Sequence, residues 1–379
     1  MTTTEDDTNA AGAPSPGIRP RAVLAALPSY VAGKPPEHIE GLRSYKLSSN
    51  ENPLPPLPSV VEAIAGHLNV NRYPDPLSTE LRNELASFLD IPAADIVTGG
   101  GSLGALNQLL AAFAGAGEDG VPDEVIYPWR SFEAYPISVG LSGAAGVPVP
   151  LRADGTHDLA AMAAAVTGRT RVILLCTPNN PTGPALTTTQ VEEFLASVPA
   201  DILVVVDEAY EDFVRDPLAV NGIDIYRRHA NVVVLRTFSK GAGLAGLRVG
   251  YSVSHPEVTR YLRVAAVPFA VSQIAEAAAV ASLRHHDELV ERVQGLVDER
   301  TRVVAGLEAL GWRIPQAQGN FVWLELGEDT PGFAALAGQQ ALAVRAFGTE
   351  GIRVSIGEAE ANSRFLAICA SYTKGPRVS

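Results

Sequence analysis

Five short runs in the middle of the chain restrict its architecture more than any other feature. They are Val125-Ile126-Tyr127, Val172-Ile173-Leu174-Leu175, Ile202 to Val206, Val232 to Leu235, and Val249 to Val253. Most are rich in β-branched residues and continuously apolar rather than alternating. A strand with one wet face alternates, whereas a continuous run reads as a strand buried on both faces. Helix-like stretches lie between them, including Asp158 to Val166 and Thr189 to Val198. The second opens with Thr189-Gln190-Val191-Glu192, the spacing of a capping box. This alternation predicts an α/β fold in which helices cover a mostly parallel central sheet.

With 379 residues the chain exceeds what one core normally supports, so two domains are expected. Residues 1–17 are polar, acidic and rich in Ala, Gly and Pro, and read as a disordered tail. An extended N-terminal arm is expected over 18–47, around Leu27-Pro28-Ser29-Tyr30, and the large domain over 48–264. A smaller α+β domain is expected over 265–379. It would begin with a long helix from about Gln273 to Leu310, stopped by Gly311, and add strands at Phe321 to Leu326 and Ile352 to Ile356.

Composition removes several function classes. A net charge of −13 is unsuited to gripping nucleic acid. Two cysteines, Cys176 and Cys369, exclude a disulfide framework and a cysteine-rich metal site. Cys176 ends an apolar run, as a buried inert thiol would. No apolar run reaches the ~18 residues of a membrane span, and the amino terminus is not a secretory leader, so a soluble cytoplasmic protein is expected.

In an open parallel sheet, ligands bind beyond the carboxyl ends of the strands, where loops and helix amino termini converge. Pro178-Asn179-Asn180-Pro181-Thr182-Gly183 follows one run, Asp207-Glu208-Ala209-Tyr210 the next, and Thr237-Phe238-Ser239-Lys240 a third. Singly these are a turn former, a helix cap and a solvated charge. Together they supply an amine that condenses with an aldehyde, a carboxylate for a protonated pyridine nitrogen, and an amide and a phenol for a ring hydroxyl. That set matches pyridoxal phosphate acting as an electron sink.

Thr98-Gly99-Gly100-Gly101-Ser102-Leu103-Gly104 opens a helical stretch, and free backbone N–H groups there suit a phosphate. Gly99, Gly101 and Gly104 also fit a dinucleotide-binding pattern. That pattern needs an acid closing the next strand, which here ends Tyr127-Pro128-Trp129.

With these motifs in this order, the chain resembles the fold-type I aminotransferases from Ile18 onward, and within them the histidinol-phosphate and aromatic (phenylalanine-type) subgroup. The most specific segment is Thr237 to Lys240 followed by Gly243-Leu244-Ala245-Gly246-Leu247-Arg248-Val249-Gly250. The resemblance implies pyridoxal 5'-phosphate as cofactor. Lys240 would be the Schiff-base lysine and proton carrier, Asp207 the partner of the pyridine nitrogen, and Asn180 and Tyr210 the partners of the ring hydroxyl. Gly101, Ser102, Leu103, Ser239 and Arg248 would hold the phosphate, and Phe132 would stack on the ring. Tyr73 would reach the phosphate of a neighbouring subunit, which implies a homodimer with shared active sites. Arg353 would grip the substrate carboxylate through a two-pronged contact, with Asn320, Asn50 and Tyr30 as further pocket positions.

The substrate implied is an amino acid exchanged against a 2-oxo acid, with 2-oxoglutarate as amino acceptor. Trp129-Arg130-Ser131-Phe132-Glu133-Ala134-Tyr135-Pro136 resembles the phenylalanine-type branch. Arg345 matches a position that contacts substrate phosphate in the histidinol-phosphate branch, which keeps that substrate, and an amino-acid phosphate decarboxylase, as alternatives. Gly241-Ala242 stands where relatives place a small residue and then an aromatic one. A regulatory protein on the same fold is the reading from another class, disfavoured by the acidic balance.

Overall fold

The computed structural model describes residues 19–372; the expected tail, Ile18 and the last seven residues lie outside this range. Among the described residues twelve strands run in chain order: β1 (Tyr45–Lys46), β2 (Ile96–Gly99), β3 (Glu124–Trp129), β4 (Ala145–Pro150), β5 (Thr170–Cys176), β6 (Leu203–Asp207), β7 (Val232–Thr237), β8 (Gly250–Val253), β9 (Phe321–Glu325), β10 (Leu342–Ala343), β11 (Arg345–Phe347) and β12 (Gly351–Ser355). Strands β2 to β8 form a seven-stranded sheet in the order β2-β8-β7-β6-β5-β3-β4. Only β8 runs against its neighbours, pairing antiparallel with β2 and β7, while the remaining pairs are parallel. The mostly parallel sheet is thus as expected, with Val249 to Val253 supplying the reversed strand.

Side-chain alternation divides the continuous runs between two cores. Val125, Val172, Leu174, Val205, Val233 and Leu235 pack on one face with Leu106, Leu109 and Leu110 of the helix Gly101–Phe113. Ile126, Ile173, Leu175, Val204, Val206, Val232 and Val234 pack on the other, with Val191 and Phe194 of the helix Thr188–Ser197. Burying each such side chain contributes about 1.5–3 kcal/mol, which is why no polar residue interrupts Val172 to Leu175, Ile202 to Val206 or Val232 to Leu235.

A second, three-stranded antiparallel sheet has the order β11-β12-β9, and β1 pairs in parallel with β10. Tyr45 and Leu47 are buried in the core beneath it, so the end of the expected arm is a structural element. The long helix expected from Gln273 is two helices, Gln273–Arg284 and His286–Ala309, divided at His285. Ala275, Ala278, Val280, Leu289, Val293 and Val297 pack in the core of the main sheet, whereas Val303 and Leu307 pack in that of the small one. The second helix thus carries apolar residues for both cores. Gly311 has a φ of 82° just past that helix, as its reading as a stop required. The capping box lies at Thr187 and Gln190 rather than Thr189 and Glu192, because the helix begins at Thr188 and its N-cap falls two residues earlier than expected.

Candidate active site

Since β8 alone is reversed, the ends of β2, β3, β5, β6 and β7 and the start of β8 meet at one edge. Cys176 is in register with Asp207, Asp207 with Leu235, and both Gly99 and Thr237 with Gly250. The loops beyond these positions enclose a cavity of about 330 Å³. Its lining includes Ser102, Leu103, Phe132, Asn180, Asp207, Tyr210, Ser239, Lys240 and Arg248, with Tyr30 exposed at its rim.

Asp207 is buried, and its Oδ2 accepts a hydrogen bond of 2.8 Å from Tyr135 Oη. Its Oδ1 is buried without a hydrogen-bond partner among the described residues. Burial pushes the carboxyl up to about 6, against the pull of Tyr135. An unpaired buried carboxylate oxygen is costly, and a cationic N–H donor such as a protonated pyridine would satisfy it. Tyr135, which the motifs did not single out, also meets Phe132 edge to face with ring centroids 5.6 Å apart.

Lys240 Nζ lies 3.4 Å from the Ser49 carbonyl, 3.3 Å from the Asn50 carbonyl and 5.5 Å from the Tyr210 ring centroid. Among the described residues no carboxylate forms an ion pair with it. Burial, with the nearby charge of Arg353 adding to it, lowers its pKa to about 7. A large share of neutral, nucleophilic amine results at neutral pH. Tyr210 is buried, accepts from Asn50 Nδ2 at 3.0 Å, and has its phenol pushed up to about 12 by burial. Cys176 is also raised to about 12 by burial, so the inert reading of that thiol holds.

The glycine turn gives the helix Gly101–Phe113 an amino terminus without a side-chain cap. Two glycines permit its position. A Cβ on Gly250 would lie 2.5 Å from Ser102 N, and one on Gly101, whose φ is +74°, would lie 2.8 Å from Arg248 Nη2. Arg248 holds a φ of 55°, and its Nη1 lies 3.3 Å from Ser239 Oγ. Free helix N–H groups, a hydroxyl and a guanidinium thus converge, the donor set that a phosphate needs.

Arg353 is buried and donates to Asn180 Oδ1 and to the Ser48 carbonyl, each at 2.6 Å, while its Nε has no partner among the described residues. Burial lowers its pKa. Asn50 exchanges hydrogen bonds with Ser355, and its carbonyl accepts from Asn320 Nδ2 at 3.2 Å. Of the expected positions, Gly101, Asn50, Asn320, Arg353, Tyr73 and Arg345 do not line the cavity. Tyr73 is 84% exposed and stacks on Phe269 at 4.7 Å, and Arg345 pairs with Glu133 at 2.6 Å.

The model of the family "Aminotransferase class I and II" matches residues 44–368. The chain belongs to this aminotransferase family. It is 53% identical to an aromatic amino acid aminotransferase of Streptomyces avermitilis over 355 residues, covering 93% of this chain and 97% of the relative. It is 52% identical to that of Thermobifida fusca, with the same coverage. Among solved structures, a histidinol-phosphate aminotransferase of Sinorhizobium meliloti in complex with pyridoxal-5'-phosphate superposes with a TM-score of 0.82 at 27% identity, over 95% of this chain and 98% of that one. As an aminotransferase the chain is an enzyme, and no helix among its described residues is long and apolar enough to cross a membrane.

Proposed function

We propose that this aminotransferase uses pyridoxal 5'-phosphate to move the amino group of an aromatic amino acid to 2-oxoglutarate. The observation that carries this reading is the shared cavity of Lys240 Nζ and the unpaired Asp207 Oδ1. When bound, the cofactor supplies an electron sink conjugated to the substrate α-carbon. Asp207 Oδ1 would accept the ring N–H, while Tyr135 fixes the other carboxylate oxygen. Asn180 and Tyr210 would bind the ring hydroxyl, and Phe132 would cover one ring face. Ser102, Ser239, Arg248 and the N–H groups at Gly101 and Leu103 would hold the phosphate. Lys240 would anchor the cofactor through its amine and, once displaced by the substrate amine, would carry the α-proton as a neutral base.

Arg353 receives the substrate carboxylate in a setting where binding and orientation are coupled, because the same guanidinium holds Asn180. Asn50, Asn320 and Tyr30 complete the pocket. Aromatic side chains are favoured by the curated relatives and by the Glu133 carboxylate, which occupies the Arg345 guanidinium that a side-chain phosphate would need. We read the working form as a homodimer in which Tyr73, directed away from its own cavity, serves the partner's phosphate site. Exposed Val70, Val264 and Val267 support an apolar interface.

The test is a panel of Phe, Tyr, Trp, His and histidinol phosphate, each assayed with 2-oxoglutarate and for carbon dioxide release. Transfer from the aromatic donors, at least about tenfold faster in kcat/KM than from histidinol phosphate, is expected. Preference for histidinol phosphate, or carbon dioxide release, overturns the reading.

A further inference from the structure

Two side chains from distant segments hold the backbone that follows Lys240. Asn52 Nδ2 donates to the Gly241 carbonyl at 2.9 Å. On the other side the Asp212 carboxylate accepts from the Gly241 N–H, and it lies so close that a Cβ on Gly241 would overlap it. The loop's own bonds use neither polar group of Gly241: Gly243 N donates to the Lys240 carbonyl at 3.1 Å and Leu244 N to the Phe238 carbonyl at 2.9 Å. Packing adds little there. Ala242 offers the core one methyl group and borders a second cavity, of about 50 Å³, that Asp212, Phe238 and Leu289 also line.

Both tethers start from fixed points. Asp212 belongs to the turn Glu211–Phe213, directly after Tyr210. Arg215 Nη1 pins that turn through the Asp212 carbonyl at 2.9 Å, and Arg300 Nη1 through the carbonyl of the buried Phe213 at 2.9 Å. Asn52 Oδ1 accepts from Leu54 N at 2.9 Å, two residues past the Asn50 whose carbonyl faces Lys240 Nζ. Gly241 is thereby tied to the segment of Tyr210 and to that of Asn50, and both segments border the amine itself.

A proton carrier acts only within hydrogen-bond reach of the atom it serves, and a misplacement of about 1 Å can cost about a hundredfold in rate. We propose that Asp212 and Asn52 are positioning residues: by holding the N–H and the C=O of Gly241 they fix where the Lys240 side chain begins. This rests on the reading of Lys240 as cofactor anchor and proton carrier. The tether at Asp212 needs an acceptor rather than a charge. Burial, followed by the charge of Glu211, pushes its carboxyl up to about 7, and the protonated acid keeps an oxygen that accepts as the carboxylate does.

The experiment mixes the holoenzyme with L-phenylalanine, or with histidinol phosphate where that donor is the faster. It follows the first half-reaction by stopped-flow absorbance, with the donor carrying hydrogen or deuterium at the α-carbon. In Asp212→Ala the saturating rate is expected to fall by at least about tenfold, with the half-saturating concentration within about twofold of the parent's. The isotope effect should rise, since a loosened base slows the proton transfer alone. Asp212→Asn keeps an acceptor and is expected to stay within about threefold of the parent. Asn52→Ala, on a half-buried loop, should share the rate loss and the larger isotope effect, and it carries the test if Asp212→Ala does not fold. A saturating rate within about twofold of the parent in either alanine variant, or an Asp212→Asn rate as low as that of Asp212→Ala, overturns the proposal. Activity retained in Lys240→Ala would instead overturn the reading of the lysine, so the two failures are told apart.

Discussion

Tyr135 Oη donates to Asp207 Oδ2 at 2.8 Å, and Oδ1 of the same buried, cavity-lining carboxylate has no hydrogen-bond partner among the described residues. The phenol binds one oxygen and holds the other in place. It also works against the burial that would otherwise favour the protonated acid. Replacing Tyr135 by Phe removes that donor while keeping the ring against Phe132. Cofactor affinity is expected to fall by about 1.5–3 kcal/mol, the range for a hydrogen bond to a charged group. Equilibrium dialysis of the cofactor checks this, and unchanged affinity would place the role of Asp207 elsewhere.

Lys240→Ala is expected to abolish the visible absorbance of lysine-bound cofactor and to lower kcat by well over about a hundredfold, since the amine is both attachment point and proton carrier. A variant with full activity refutes the assignment.

The reactive form of Lys240 is the neutral amine, whose fraction rises as pH passes upward through about 7. The rate of cofactor uptake by the apoenzyme should climb about tenfold per pH unit below that value and level off above it. Arg353 lowers the lysine pKa through its charge, so Arg353→Gln should move the midpoint to higher pH. The same variant should raise KM for every amino donor, because the carboxylate contact is common to all. Stopped-flow absorbance over pH 5–9 decides the first point, in buffers covering about two units either side of the midpoint.

Gly241 admits a close approach that any side chain would disturb. A Cβ there would lie 2.2 Å from Asp212 Oδ2, 2.5 Å from its Cγ and 2.8 Å from its Cβ, so rotating the carboxylate alone gives no relief. Gly241→Ala should therefore displace the loop carrying Lys240, slowing cofactor uptake and lowering kcat with little change in KM. An unperturbed kcat would show that the loop tolerates the shift.

Behind that loop, Arg236 and Glu208 form an ion pair whose side chains are 8% and 2% exposed. Arg236→Met leaves a buried carboxylate without its counter-ion, and a loss of about 3–5 kcal/mol in unfolding free energy is expected. Adding Glu208→Gln should recover part of it. Urea denaturation of both variants measures the effect.

The sequence alone determined the main sheet and several residues that line the cavity. Val172 to Leu175, Ile202 to Val206 and Val232 to Leu235 could be read because a strand covered on both faces tolerates no polar residue, a constraint written locally. Asn180, Asp207 and Lys240 could be read because strand ends in a parallel sheet share one edge, so motifs separated along the chain have a known common destination. Only the tertiary structure decided the rest. Tyr135 meets Asp207, Glu133 meets Arg345, and a single helix serves two cores, through contacts between segments that no local periodicity links. A side chain's partner depends on where distant backbone brings it, and for a lone tyrosine or glutamate that placement leaves no mark in the neighbouring residues.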